Sequence, residues 1–71
     1  MNMAIMKDYQ YDTANSTITI HKDWRLYITQ RKRCENYKAG TTFHVIAWMD
    51  GSARVVAPGG LLGIIALRGP Q

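Results

Sequence analysis

Cysteine and long apolar runs are both scarce in this chain of 71 residues, and each shortage excludes a class of protein. The single cysteine, Cys34, cannot form a disulfide within the chain and cannot complete the four-ligand shell of a structural zinc site. The longest apolar run, 61–67, is about a third of the ~20 residues that a membrane helix needs. We also expect no secretory signal, because no charged segment followed by an apolar one precedes a cleavage site. These shortages predict a cytoplasmic protein with no membrane partner.

The length predicts a single domain over 1–71, because two hydrophobic cores cannot be built from so few residues. A core of this size rarely supplies more than about 3–5 kcal/mol of stability, which favours completion by a second copy or another partner. The last residues, 69–71, are expected to form a frayed tail.

Acidic residues are also few, and the basic residues are concentrated in one segment. The chain has nine Lys and Arg against five Asp and Glu, a formal net charge of +4. Segment 22–38 holds six of those basic residues and two of the acidic ones, so it accounts for the whole net charge. The predicted binding surface consists of Arg25, Arg31, Lys32, Arg33 and Lys38, with the aromatic residues Trp24, Tyr27 and Tyr37 interleaved among them.

A basic, aromatic-interleaved segment favours nucleic acid as the partner. Clustered positive charge attracts polyanions over about 8–10 Å at physiological salt, and aromatic rings can stack on unpaired bases. Two other interpretations remain open. An acidic face of another protein would suit the same charges, and short basic runs such as 31–33 often serve only solubility, with Trp24 and Tyr27 in the core.

Alternation of apolar and polar residues predicts strands at both ends of the chain. Segments 3–11 and 17–20 read as strands of a first hairpin, joined by the turn-forming composition of 12–16. Segments 41–49 and 52–57 flank Asp50-Gly51, a pair typical of a type I′ hairpin turn with two positive φ angles. The expected register places Trp48 opposite Ala53, Ile46 opposite Val55, and Val45 opposite Val56.

The run 61–67 follows a turn at 58–60 and is apolar on both faces of a predicted strand. That pattern is typical of a buried central strand, and it would equally serve as the seam of a homodimer.

Segment 22–38 is compatible with a helix and with a strand. As a helix, Asp23 would be the N-cap and Gly40 would follow the last turn. As a strand, 25–29 alternates and contains strand-favouring residue types. We favour the helix slightly, because the strand version leaves a long basic loop in a small domain.

These elements predict a mainly β fold: a small antiparallel sheet or open barrel of about five strands. The alternative fold class is α+β, with one short basic helix near 23–37.

Groupings that would carry out catalysis or bind metal are not apparent. His21, Cys34 and His44 lack the close spacing of metal ligands, and nothing around Cys34 matches a nucleophile motif. We therefore predict a non-enzymatic binding module without catalytic residues, metal or cofactor.

In size and lack of motif the chain resembles the short regulators encoded by phages and mobile elements. That resemblance implies an alternative function: an inhibitor that binds a host nucleic-acid-handling complex, of transcription or of CRISPR-type defence. Aromatic and arginine side chains are the usual anchors of such interfaces, so Trp48 and Arg54 form a predicted secondary interface.

Overall fold

The computed structural model describes residues 3–5 and 8–67, and the regular structure in this part of the chain is entirely β. The strands are β1 (Met3–Ile5), β2 (Tyr9–Asp12), β3 (Thr17–Ile20), β4 (Trp24–Ile28), β5 (Arg33–Tyr37), β6 (Thr42–Met49), β7 (Ser52–Ala57) and β8 (Leu61–Ala66). Within these residues no helix is long and apolar enough to span a bilayer. The tail predicted to fray, 69–71, lies outside the described residues.

The strands form one open antiparallel sheet in the order β1-β2-β3-β6-β7-β8-β4-β5, which confirms the mainly β prediction. Residues 3–5 and 8–67 form eight strands rather than about five, for two reasons. The segment predicted as one strand over 3–11 contains two strands, β1 and β2, which pair with each other. The basic segment contributes two more, β4 and β5.

The expectation of a helix near 23–37 is therefore wrong. β4 alternates strictly between buried and exposed positions, with Trp24, Leu26 and Ile28 buried. A helix would have turned Leu26 away from the other two, whereas a strand turns all three to one side. The long loop that counted against the strand is absent, because a four-residue turn at 29–32 leads directly into β5, with Lys32 at a φ of 53°.

The hairpin of β6 and β7 follows the predicted register only near its turn. Trp48 lies opposite Ala53 as expected, but Val45 lies opposite Val55, because the register shifts by one residue at a β-bulge. Ile46 is the extra residue of that bulge, so the pairings predicted for Ile46 and Val45 are wrong. A bulge reverses the alternation of side chains, and both Val45 and Trp48 consequently face the side of the buried core.

The turn between these strands is not of type I′. Gly51 has a φ of 78°, but Asp50 is not among the residues with positive φ, whereas a type I′ turn needs both. Asp-Gly therefore marked the position of the turn correctly and its conformation incorrectly.

The core lies on one side of the sheet, which we call the inner face. Its fully or nearly buried residues are Ile18, Ile20, Trp24, Leu26, Ile28, Phe43, Ala53, Val55, Ala57 and Ile65. The sheet curls around these residues. The evidence is that the rings of Tyr9 in β2 and Trp24 in β4 meet edge to face, with their centres 6.0 Å apart. These strands are five places apart in the sheet, which would separate them by about 24 Å if the sheet were flat.

β8 is a central strand, with β7 on one side and β4 on the other. Both of its edges are thus paired, so a homodimer predicted through 61–67 could not form by adding a strand at β8. Gly63 and Ile65 are buried on the inner face, and Leu62 and Ile64 turn to the opposite side. The opposite side of 61–67 is the side on which Leu62 and Ala66 are exposed.

Candidate nucleic-acid interface

The side of the sheet away from the core carries most of the exposed side chains of β7, β8, β4 and β5, the last four strands in the sheet order. We call this side the outer face. Opposite residues of an antiparallel pair share a face, so the register places each side chain. The outer face consists of Cys34 and Asn36 of β5, Arg25 and Tyr27 of β4, Leu62, Ile64 and Ala66 of β8, and Ser52, Arg54 and Val56 of β7.

Tyr27 lies between two arginines on this face. It is 42% exposed, and Arg25 precedes it by two residues on the same strand, on the same side. Across β8, Tyr27 pairs with Ile64, and Ile64 pairs with Arg54 on β7. Adjacent strands are about 4.8 Å apart, which puts the backbone of Arg54 about 10 Å from that of Tyr27. An aromatic ring between two guanidinium groups can stack on a base while the guanidinium groups contact the neighbouring phosphates of the nucleic-acid backbone.

The outer face as defined contains no carboxylate. The Arg25 guanidinium donates from Nε to the neutral Oδ1 of Asn36 at 3.4 Å, which orients the side chain and leaves its charge uncompensated. Arg54 is exposed and has no carboxylate partner among residues 8–67. The positive charge of this face is thus available to an anion.

The predicted basic residues at the β4–β5 turn are partly neutralised. Arg31 Nη1 and Arg33 Nε both bind Glu35 Oε2, at 3.1 Å and 3.3 Å. Glu35 and Arg33 lie opposite the buried Leu26 and Ile28, so they point to the side away from Tyr27. Two of the predicted binding residues are therefore held by a carboxylate near the inner side.

These contacts lower the pKa of the Glu35 carboxyl below its ordinary value of 4.5, chiefly through the hydrogen bond from Arg31 and further through Arg33. In a ¹³C NMR titration we expect Glu35 to protonate at a lower pH in the native protein than in the urea-unfolded protein. Replacing Arg31 with glutamine should raise the native value.

The sign of the effect on stability follows from that direction. A lowered native pKa makes the Glu35 contacts stabilising above the unfolded value of about 4.5, and this contribution disappears as the pH falls through the lower native pKa. Equal midpoints in the native and unfolded protein would contradict the ion pairs.

Two of the three predicted aromatic residues are occupied by the core. Trp24 is 4% exposed, and its Nε1 donates to the backbone oxygen of Ala66 at 3.2 Å. The ring of Tyr37 packs edge to face on Phe43 at 5.2 Å, and desolvation raises the pKa of the Tyr37 hydroxyl. Of the three, Tyr27 alone presents its ring on the outer face.

The remaining basic residues of the segment are dispersed along the hairpin. Lys32 lies in the turn, whereas Lys38 follows the other end of β5. The five residues of β5 separate these ends by about 17 Å. Lys22 binds Asp8 at 3.4 Å, with its Nζ 5.3 Å from the centre of the Trp24 ring. The segment is therefore not one continuous patch.

The predicted secondary interface is divided between the two faces. Arg54 belongs to the outer face, whereas Trp48 faces the inner side and packs on Tyr11, with ring centres 4.4 Å apart. Trp48 also borders a shallow cleft of about 260 Å³ whose other described lining residues are Tyr9, Met49, Gly51, Ser52 and Leu67. The side chains of Trp48 and Arg54 therefore point to opposite faces of the sheet.

Among the described residues, no group of three or more His, Cys, Asp and Glu side chains is close enough to hold a metal ion. Cys34 is exposed on β5, and His44 is exposed on β6.

Sequence reasoning found Arg25 and Tyr27 of the outer face, but it did not connect them with Arg54. The interleaving of aromatic residues with the basic residues of 22–38 was the signal for the first two residues. No local signal could have joined Arg54 to them, because they meet only through the placement of β8 between β7 and β4.

Comparison with known protein families finds no family model that matches this chain, and neither a curated protein nor a solved structure matches it.

Proposed function

We propose that the chain is a small cytoplasmic module that binds nucleic acid with unpaired bases on its outer face. Tyr27 stacks on a base, while Arg25 and Arg54 contact phosphates on either side. Lys32 and Lys38 extend the positive field towards the two ends of the hairpin. The observation that carries this proposal is the exposed ring of Tyr27 between two arginines on a face without carboxylates.

The strand-by-strand distribution of charge supports this face over the hairpin turn. Arg31 and Arg33 share one carboxylate, whereas Arg25 has an amide partner and Arg54 has no carboxylate partner among residues 8–67. An incoming phosphate gains more from an uncompensated cation than from one that must first leave a carboxylate.

Salt dependence of binding tests the two arginines. Fluorescence anisotropy with a labelled single-stranded oligonucleotide of mixed sequence gives the slope of log K against log salt. Each phosphate contact contributes about 0.7 to that slope for a single strand. We expect Arg25→Gln and Arg54→Gln each to reduce the slope by about 0.7, and the double variant by about 1.4.

Lys22→Gln is the matched control, because it removes the same charge from a lysine already bound to Asp8, at 3.4 Å. It should leave the slope unchanged. Equal losses in all three single variants would mean that net charge alone drives binding, and the outer-face assignment would be wrong.

Replacement of Tyr27 tests the stacking. Loss of one base–aromatic stack is worth about 1–3 kcal/mol, so Tyr27→Ala should weaken binding about 5- to 150-fold. Tyr27→Phe keeps the ring and should bind as the native protein does. A duplex of the same sequence should bind more weakly, because its bases are already stacked. Absence of binding at low salt would refute the function itself.

A second candidate is the inhibitor that binds an acidic surface of a host complex. It is favoured by the exposure of apolar side chains, with Leu62 37% exposed on the outer face and Ile46 53% exposed on β6. Nucleic acid would not need these side chains, whereas a protein interface would bury them. Capture from host lysate after nuclease treatment separates the candidates. Retained binding that is lost in Leu62→Ser and Ile46→Ser, but not in Tyr27→Ala, would favour the protein partner.

A further inference from the structure

β5 is an edge of the sheet that has the features of a pairing surface. In the part of the chain that the structure describes, its only neighbour is β4. The N–H of Thr29, just after β4, donates to the backbone oxygen of Leu62 in β8, at 3.0 Å. Backbone groups alternate in direction along a strand. The N–H and C=O groups of Arg25 and Tyr27 therefore point to β8, and those of Trp24, Leu26 and Ile28 point to β5.

The same alternation decides which groups of β5 are free. Arg33, Glu35 and Tyr37 lie opposite the residues of β4 that point towards β5, so their backbone groups bond to β4. The N–H and C=O groups of Cys34 and Asn36 point to the free edge. Both residues are exposed, and the β4–β5 register is continuous without a bulge.

Natural sheets protect such edges with bulges, prolines or charges that repel a second strand. β5 contains no proline and no bulge, and its charges, Arg33 and Glu35, have opposite signs two residues apart. Opposite signs at this spacing attract, rather than repel, an antiparallel copy of the same strand when the register brings them face to face.

We propose that β5 pairs with β5 of a second copy, antiparallel and centred on Cys34. In this register Arg33 of each copy lies opposite Glu35 of the other, and the Cys34 side chains lie opposite each other. The backbone groups of Cys34 and of its equivalent close two hydrogen bonds across the two-fold axis. The partner is thus a second copy of this chain.

The other two-fold registers that use the free backbone groups are less favourable. Pairing centred on Glu35 would bring two carboxylates directly opposite each other, which is destabilising. Pairing centred on Asn36 would place Glu35 opposite Tyr37 and leave no opposite charges facing each other. Charge therefore selects the register centred on Cys34.

The pairing joins two copies into one continuous sheet and does not depend on the proposed binding of nucleic acid. The two-fold axis is perpendicular to the sheet, so both outer faces lie on the same side. Few residues take part, so the area buried between the copies is well below that of a standard stable interface. The dimer is therefore weak and concentration-dependent.

Cross-linking at Cys34 tests the register. Dibromobimane becomes fluorescent when it bridges two nearby thiols, and every such bridge joins two copies because Cys34 is the only cysteine. Opposite side chains of a strand pair have Cβ atoms about 4.5–5.5 Å apart, whereas the registers centred on Glu35 and Asn36 separate the thiols by about 7–8 Å or more. We expect a fluorescent covalent dimer that forms faster as the protein concentration rises, in parallel with dimer formation in analytical ultracentrifugation.

Charge exchange tests the complementarity. Arg33→Glu and Glu35→Lys each place like charges opposite each other, and each should dimerise about tenfold more weakly, a difference of about 1.4 kcal/mol. An equimolar mixture of the two variants restores both opposite-charge pairs and should cross-link as well as the native protein. This recovery also shows that both variants are folded.

Several outcomes would overturn the pairing. Single variants that dimerise as well as the native protein would point to a face-to-face contact through the outer side of 61–67. A mixture that does not recover would rule out the register, and a native protein that stays monomeric at high concentration would rule out the dimer. Binding of oligonucleotides by the charge-exchange variants is a separate readout, because Arg33 and Glu35 point away from Tyr27.

Discussion

Replacement of Phe43 with alanine is expected to unfold most of the protein at 25 °C. Among the described residues, Phe43 has the largest fully buried side chain, with 0% exposure. It lies opposite Ile18 in β3 and packs edge to face on Tyr37 in β5, with ring centres 5.2 Å apart, so one side chain connects strands from distant parts of the sheet.

The size of the effect follows from the cavity. Truncation of a buried phenylalanine to alanine costs about 3–5 kcal/mol. A core of this size supplies about the same amount in total. Urea titration followed by tryptophan fluorescence should therefore show a native baseline for the natural sequence and little or none for Phe43→Ala.

Two variants calibrate this result. Phe43→Leu refills part of the cavity and should keep a cooperative transition at lower urea. Ile46→Ala removes a side chain that is 53% exposed and should change stability by no more than about 0.5 kcal/mol. If the free energy of unfolding of Phe43→Ala lies within about 1 kcal/mol of that of the natural protein, the effect is on the order of that of a surface substitution. Such a result would show that the core does not depend on this ring.

Replacement of Gly63 with alanine is expected to have the second-largest effect, although it adds only one methyl group. A Cβ atom at Gly63 would lie 2.9 Å from the backbone oxygen of Tyr27 and 3.0 Å from Cδ1 of Ile28. The backbone oxygen belongs to the β4–β8 pairing and cannot move without disturbing it. Overpacking of this kind costs about 1–3 kcal/mol.

A double-mutant cycle with Ile28→Val identifies the cause. The valine lacks Cδ1 and relieves one of the two close contacts, so Gly63→Ala should cost less in the Ile28→Val background than alone. Strictly additive changes in the free energy of unfolding would contradict the steric argument.

Gly60 provides a contrasting control, because it has a φ of +81° and nothing within 4 Å of the position of a Cβ atom. Alanine there should cost about 1 kcal/mol through backbone strain alone. Asparagine tolerates positive φ better and should recover part of that loss. At Gly63 we expect the opposite order of stability, with asparagine more destabilising than alanine, because the larger side chain meets more neighbouring atoms there.

Gly63→Ala also connects stability with the proposed function. Gly63 lies opposite Ile28 of β4 and Val55 of β7, so it holds β4 at its distance from β7. Displacement of β4 would separate Tyr27 from Arg54. Binding of oligonucleotides should therefore fall by more than the unfolded fraction of this variant explains.

Several features of the fold were predictable because their causes are local. Alternation at 17–20 predicted β3, and the turn signal of Asp50-Gly51 predicted the strand after it, β7. The composition of 12–16 predicted a turn, and Asp12 Oδ1 does accept hydrogen bonds from the N–H groups of Ala14 and Asn15, at 3.0 Å and 3.3 Å. A carboxylate that bonds to the backbone two or three residues later stabilises a bend in any context.

The conformation of 23–37 was not predictable, because its local signals were divided. Asp23, expected to cap a helix, instead accepts a hydrogen bond from the N–H of Ala39 at 3.1 Å. Strand formation let β4 bury Trp24, Leu26 and Ile28 together while it paired with β8. Burial of three large side chains outweighs the small difference in intrinsic propensity.

For this protein, the sequence by itself determined the β class, several turns and the segment that holds the net charge. Each of these depends on residues close together in the chain. Only the tertiary structure decided the strand order, the bulge that turns Trp48 inward, and the division of the basic residues between two faces. These features depend on which pairing of strands encloses the whole core, and that choice brings Arg54 beside Tyr27 while leaving Arg33 with Glu35.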